Sequence, residues 1–162
     1  MVNDRKNSTE STARKIFNLN SKDLFFYIQV SMQKYKNSKA KNIEQLFFII
    51  MSLNHIREWI APGYKHTYKP INVEQEFYND IYELQEFKTI QDLCNGIKHL
   101  GSSKNTEAQY GLKIDDWDAM FDDVKSFDDG PPSKFTVDGM DIENVLDKVI
   151  DFYSREWFDK NT

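Results

Sequence analysis

The residues best suited to chemistry lie together in the segment from Ile90 to Leu100. An amide, an ammonium and an imidazole occur there within five residues, at Asn95, Lys98 and His99. In a helix, at about 100° per residue, these three share one face and Cys94 lies at its border. His99 can transfer protons near neutral pH, Asn95 can orient a substrate or an imidazole, and Lys98 can bind a phosphate. The same spacing is also typical of the ordinary polar face of an amphipathic helix.

A second candidate pair, His55 and Glu58, lies near the end of the apolar stretch from Glu44 to Ile60. The apolar side chains of this stretch extend nearly all round a helix, so it is predicted to be the central helix, covered on most sides. Polar residues interrupt it too early for a membrane span. His55 and Glu58 are three residues apart and can face the same site as the 90–100 segment. The alternative is a packing histidine, with Arg57 and Glu58 pairing with neighbours or solvent.

Three further helices are predicted from apolar residues at helical spacing. Ser21 is the predicted N-cap of the first helix and Asp141 that of the last. The third begins near Val73 and either continues to residue 100 or breaks briefly near Lys88. All the predicted helical segments lie within residues 21–60, 73–100 and 141–158.

The segment 104–140 contains strand-type residues around the turn sequence Asp-Asp-Gly-Pro-Pro, which predicts a small hairpin or irregular lobe. We therefore predict a mainly α protein, a bundle of four to five helices with a small β-hairpin before the C-terminal helix. Residues 1–20 are expected to be a mobile tail, and residues 21–162 a single domain.

The net charge of −5 is unevenly distributed along the chain. Residues 1–70 contain 12 Lys/Arg and 5 Asp/Glu, a net charge of +7, whereas residues 71–162 contain 9 and 21, a net charge of −12. One interpretation is a dipolar domain whose halves attract each other. Another is a basic N-terminal surface that binds a phosphate backbone. The acidic run from Asp115 to Asp129 lacks calcium-loop spacing and is predicted to be a solvated face or an acidic partner surface.

The sequence also argues against several classes of site. Cys94 is the only cysteine, which excludes a disulfide within the chain and a cysteine-based zinc site. His55, His66 and His99 do not have zinc-ligand spacing, and no metal or cofactor is expected. Neither a phosphate-binding glycine loop nor a nucleophile elbow is present. No signal-peptide-like segment follows Met1, which predicts a cytoplasmic protein outside the membrane.

The segment Cys94-Asn95-Gly96-Ile97-Lys98-His99 resembles the Arg-Asn-x-x-x-His motif of HEPN domains, with Cys94 in place of the arginine. The wider arrangement is similar to that of bacterial HEPN-like proteins. These have a helix ending like His55-Ile56-Arg57-Glu58-Trp59-Ile60, a later Asn-x-x-Lys-His segment, and a C-terminal hairpin and helix. The resemblance spans residues 21–158. HEPN domains are helical bundles, commonly dimeric, and many are metal-independent ribonucleases of toxin–antitoxin and antiviral systems, whereas others only bind or scaffold.

The resemblance implies that His99 is the general acid/base and that Asn95 has the polar role. Cys94 occupies the position from which the family's arginine would contact phosphate. Lys98, one turn further on, is the candidate to replace it, although it lacks the bidentate fork of arginine. His55 and Glu58 complete the predicted substrate-binding set with Lys98 and Cys94.

Two functions are therefore predicted. The first is a HEPN-like, RNA-acting protein of a defence or toxin–antitoxin setting, with metal-independent endoribonuclease activity. The second is a non-catalytic HEPN-like module whose same face binds a protein partner or a nucleotide. A homodimer is also expected, with the Asp92–His99 face at or beside its interface, because Gly96 would let two helices approach closely.

Overall fold

Helices make up most of the chain that the structure describes. The computed structural model describes residues 19–98, 113–114 and 134–161, with the backbone alone at 97–98 and 113–114. The helices are α1 (Ser21–Asn37), α2 (Ile43–Ile60), α3 (Val73–Glu83), α4 (Gln85–Lys98) and α5 (Ile142–Tyr153), and a π-helical turn at Ser154–Phe158 extends α5. The predicted fold class, mainly α with a small hairpin before the C-terminal helix, is confirmed.

Asparagine side chains begin the first three helices. Asn20, Asn42 and Asn72 each accept a hydrogen bond from the backbone N–H three residues later, which satisfies a donor that the helix leaves unpaired. The prediction that Ser21 caps α1 is wrong by one residue. Asn20 is the cap, because Asp23 also accepts a hydrogen bond from the Asn20 N–H and completes a reciprocal capping box. Asp141 caps α5 as predicted.

The helical segment after Val73 is divided, as one of the two predicted alternatives had it, but at Leu84 and not near Lys88. Leu84 has extended backbone angles, φ −69° and ψ 123°, and its N–H donates to the carbonyl of Ile81 at the end of α3. Its own carbonyl accepts from the N–H groups of Phe87 and Lys88 and so begins α4. One residue therefore ends one helix and starts the next. No proline or glycine marks this break in the sequence.

Helix α2 is the central element, as predicted, and it packs against α1, α3, α4 and α5. Its buried residues include two polar ones, Asn54 and Arg57. The cover is less complete than predicted, because Phe48 and Trp59 are each 43% exposed on one side of the helix. The fully buried apolar side chains of α2 are Leu46, Ile49, Ile50, Leu53 and Ile56.

A small antiparallel sheet precedes α5. Its strands are β1 (Lys113–Ile114), β2 (Phe135–Val137) and β3 (Met140–Asp141), in the order β1-β2-β3. The β2–β3 turn uses Asp138 and Gly139, which have φ of 49° and 75°. Two successive residues with positive φ are typical of a tight hairpin turn, and Asp-Gly is a preferred pair there. The predicted turn at 128–132 lies outside the described residues.

The C-terminal helix and the π-helical turn that extends it pack against α2 and α1. The Tyr153 hydroxyl donates to the Leu53 carbonyl of α2 over 3.0 Å. Phe158 of the π-helical turn stacks on Phe25 of α1, with 4.3 Å between ring centroids. Two ion pairs join basic residues of the N-terminal half to carboxylates of α5, Lys36 to Asp147 and Lys41 to Glu143, each at 2.7 Å. Such pairs are what the dipolar interpretation of the charge distribution predicts.

Several predictions fall outside the described residues. These include the mobile tail over most of residues 1–20, the acidic run from Asp115 to Asp129 and the placement of His99. Across the ranges that are described, none of the helices has the length and apolar character needed to cross a membrane.

Candidate functional site

The predicted site segments meet where α2 packs against α4. The Asn54 side-chain nitrogen donates to the Cys94 sulfur over 3.4 Å, and both residues are buried, with 3% and 0% of their surface exposed. The Cys94 thiol therefore belongs to the core contact between the two helices. The substrate contact predicted for Cys94 stays a prediction, and a substrate on the surface would not reach this thiol without movement of the helices.

The contacts between α2 and α4 show that these helices run in opposite directions. Asn54 contacts Cys94, whereas Arg57, further along α2, lies against Phe87, which is earlier on α4. In an antiparallel pair, the residue after each contacting residue points toward the same side of the pair. Helical phase thus places His55 and Asn95 on one side of the α2–α4 contact. We call this surface the α2/α4 seam, defined by His55, Glu58 and Asn95.

His55 and Glu58 form a pair along the seam. The His55 Nδ1 lies 3.3 Å from the Glu58 Oε2, with 32% and 50% of the two side chains exposed. A carboxylate that accepts a hydrogen bond from Nδ1 fixes the imidazole tautomer and leaves Nε2 as the basic nitrogen. An imidazole held in this way can act as a general base or acid. The sequence identified both residues and their common face.

Asn95 and Gly96 are exposed on the last turns of α4. A Cβ added at Gly96 would meet no atom within 4 Å, so the surface at this position is open. Lys98 is the last residue of α4, and its side chain lies outside what the structure describes. His99 lies outside the described residues. The structure therefore brings His55, Glu58 and Asn95 to one surface.

Arg57 is the residue that sequence reasoning missed. Only 5% of it is exposed, and its guanidinium carbon lies 5.2, 4.8 and 4.9 Å from the ring centroids of Tyr78, Tyr82 and Phe87. Its Nε and Nη1 atoms have no hydrogen-bond partner, and neither does the Asn54 Oδ1 atom. The prediction of a partner among neighbours or solvent overlooked an aromatic cage. A polar residue three positions after Asn54, between the apolar Ile56 and Ile60, was the available signal.

Tyr78, one of the rings around Arg57, is neutral at physiological pH. Burial raises the pKa of Tyr78, and the nearby Arg57 guanidinium opposes this increase. Burial likewise raises the pKa of Tyr153, again opposed by Arg57. Phenols with raised pKa values carry no negative charge near pH 7. The Tyr78 ring therefore solvates the guanidinium by its face without neutralising it.

His66 has a packing role in the structure. Its ring stacks on Tyr82, with 4.2 Å between the ring centroids and 18° between the planes. Within the described ranges, no group of three or more His, Cys, Asp or Glu residues is arranged to hold a metal ion.

Comparisons with family models, with curated proteins and with solved structures found no match.

Proposed function

We propose that this protein is a HEPN-like, RNA-acting protein whose α2/α4 seam contacts RNA and contributes to metal-independent endoribonuclease activity. The observation that carries the proposal is the His55–Glu58 pair on the same side of the α2–α4 contact as Asn95. These residues supply an oriented imidazole and an amide at one surface. A defence or toxin–antitoxin setting is proposed from the family resemblance alone.

The proposed reaction needs a base, an acid and groups that hold phosphate. The base removes the proton of a ribose 2′-hydroxyl, and the 2′-oxygen attacks the adjacent phosphorus. The bond from phosphorus to the 5′-oxygen breaks as the acid protonates the leaving oxygen. In this proposal His99 is the acid/base, Asn95 orients the substrate and Lys98 holds the phosphate. His55 provides a second imidazole, which Glu58 keeps in one tautomer.

The alternative is a non-catalytic HEPN-like module that binds RNA, a nucleotide or a protein partner on the same surface. The burial of Cys94 favours this alternative, because residue 94 then offers no surface group at the position of the motif's arginine. Binding of RNA without cleavage would distinguish the module from the enzyme.

RNA binding at the seam predicts that His55→Ala and Asn95→Ala each weaken binding of single-stranded RNA about tenfold, the effect of one lost hydrogen bond. Because both residues would contact one ligand, the double variant should lose less than the product of the two effects. Fluorescence anisotropy with a labelled oligoribonucleotide at fixed salt measures this. Asn37→Ala, an exposed asparagine at the end of α1, is the matched control. Unchanged binding in both single variants would exclude the seam as the RNA contact.

We further propose that the protein is a homodimer with the Asp92–His99 face at or beside its interface. Gly96 gives a direct test, because a Cβ added there meets no atom within 4 Å and a tryptophan would obstruct a partner helix. Light scattering at micromolar concentration should give a dimer mass for the wild type and a monomer mass for Gly96→Trp. A wild-type monomer, or a dimer that Gly96→Trp leaves intact, would contradict the interface.

A further inference from the structure

The Arg57 cage surrounds a buried positive charge. Only 5% of Arg57 is exposed, and in the described part of the chain no carboxylate lies within ion-pair distance of its guanidinium. Its neighbour in sequence, Glu58, is directed to His55 instead. A buried ion without a partner costs several kcal/mol relative to a paired one. This buried charge lies where α2, α3 and α4 meet.

The aromatic rings account for only part of the stabilisation that Arg57 needs. A ring attracts the guanidinium through its face. The N–H groups at Nε and Nη1 still have no acceptor, and a buried donor without a partner is destabilising. Burial raises the pKa of Tyr78, so its ring carries no negative charge near pH 7. Among the described residues, the cage therefore gives Nε and Nη1 no acceptor and gives the guanidinium no carboxylate.

The Asn54 side chain contributes a buried acceptor. Its Oδ1 atom has no hydrogen-bond partner, while its Nδ2 atom donates to the Cys94 sulfur. Residues 54 and 57 are three apart on α2, so their side chains lie on neighbouring turns of one face. The unpaired Arg57 N–H groups and the unpaired Asn54 Oδ1 fit a ligand that both accepts and donates hydrogen bonds. Inorganic phosphate does both, because it retains a P–OH group with its P–O⁻ groups at pH 7, and it also supplies the missing charge.

A basic loop contacts the cage at Tyr82. The Tyr82 ring is only half-buried, and it contacts both the Arg57 guanidinium and the His66 ring, at 4.8 and 4.2 Å from its centroid. Lys65 and Lys69 are exposed on the same loop, and residues 61–71 contain no acidic side chain. Such a loop attracts anions toward the cage. Entry of a ligand would require the Tyr82–His66 stack to turn aside.

From these unpaired donors and this unpaired acceptor, we propose that Arg57 and Asn54 form a binding site for a phosphate group that carries a hydroxyl. The phosphate would enter past Tyr82. Arg57 would donate to the P–O⁻ oxygens, and the P–OH would donate to the Asn54 Oδ1. Inorganic phosphate is therefore preferred over an internal RNA phosphodiester, which has no P–OH. This site is separate from the RNA contact at the seam, so either proposal can fail without the other.

Thermal unfolding in inorganic phosphate tests the site without RNA. At a phosphate concentration about ten times Kd, the wild-type Tm should rise by about 3 °C relative to chloride at the same ionic strength. Arg57→Met should show no specific rise, and it should fold, because methionine replaces a buried charge with little loss of stability. Arg155→Met, which removes an exposed arginine, should respond like the wild type.

Sulfate serves as the control for general salt stabilisation, since it stabilises proteins by exclusion from their surface and lacks the hydroxyl at neutral pH. A larger rise with phosphate than with sulfate, lost in Arg57→Met, supports the site. A poly-ribonucleotide without terminal phosphates distinguishes the source, because its diesters should not reproduce the Arg57-dependent rise. An equal rise in Arg57→Met would overturn the proposal. No rise in the wild-type Tm would also overturn it, and would indicate that Arg57 and Asn54 bind only water.

Discussion

Cys94→Arg should destabilise the protein by about 3–5 kcal/mol, even though it restores the arginine of the motif that the segment resembles. Residue 94 is fully buried against Asn54, so the new guanidinium would enter the core without a counter-charge. It would also lie in the same helix contact as Arg57, which has no carboxylate partner among the described residues. Burial of an unpaired charge and overpacking both contribute to a loss of this size. Urea denaturation followed by circular dichroism measures it.

Two control substitutions distinguish the effect of burying a charge at residue 94 from the effect of adding an arginine or losing the thiol. Asn95→Arg, one residue further along, should change the free energy of unfolding by no more than about 0.5 kcal/mol, because Asn95 is exposed. Cys94→Ala removes the thiol without adding a charge and should cost far less than Cys94→Arg. If Cys94→Arg were as stable as the wild type, residue 94 would reach solvent as the motif arginine does. The core contact described for Cys94 would then be incorrect.

The fold was predictable because its main signals are local. Apolar spacing identified each helix, and the nearly uniform apolarity of Glu44 to Ile60 identified the central one. The Asp141 cap follows from the same kind of short-range pattern. The choice between Ser21 and Asn20 as the cap of α1 depends on which residue Asp23 reaches, and the sequence permits both residues. The turn at Asp138–Gly139 was present in the sequence as an Asp-Gly pair and was overlooked.

The parts that sequence reasoning could not supply depend on contacts between distant segments. Leu84 ends α3 without a proline or glycine, so its extended backbone follows from how α3 and α4 each pack on α2. Arg57 is caged by rings that come from α3 and α4, and their convergence needs the fold. The burial of Cys94 likewise depends on Asn54, forty residues away. By contrast, the common face of His55 and Glu58 was readable because helical spacing alone determines it.

The measurement that tests the central claim most directly is cleavage of a labelled single-stranded RNA by the purified protein in excess EDTA. The wild type should cleave the RNA. His99→Ala should cleave it at least about 100-fold more slowly, because a general acid/base group contributes about that much or more to the rate. Asn37→Ala, far from the seam, should cleave at the wild-type rate, and circular dichroism should show that each variant is folded. Absence of cleavage by the wild type, or equal cleavage by folded His99→Ala, would contradict the proposed enzyme.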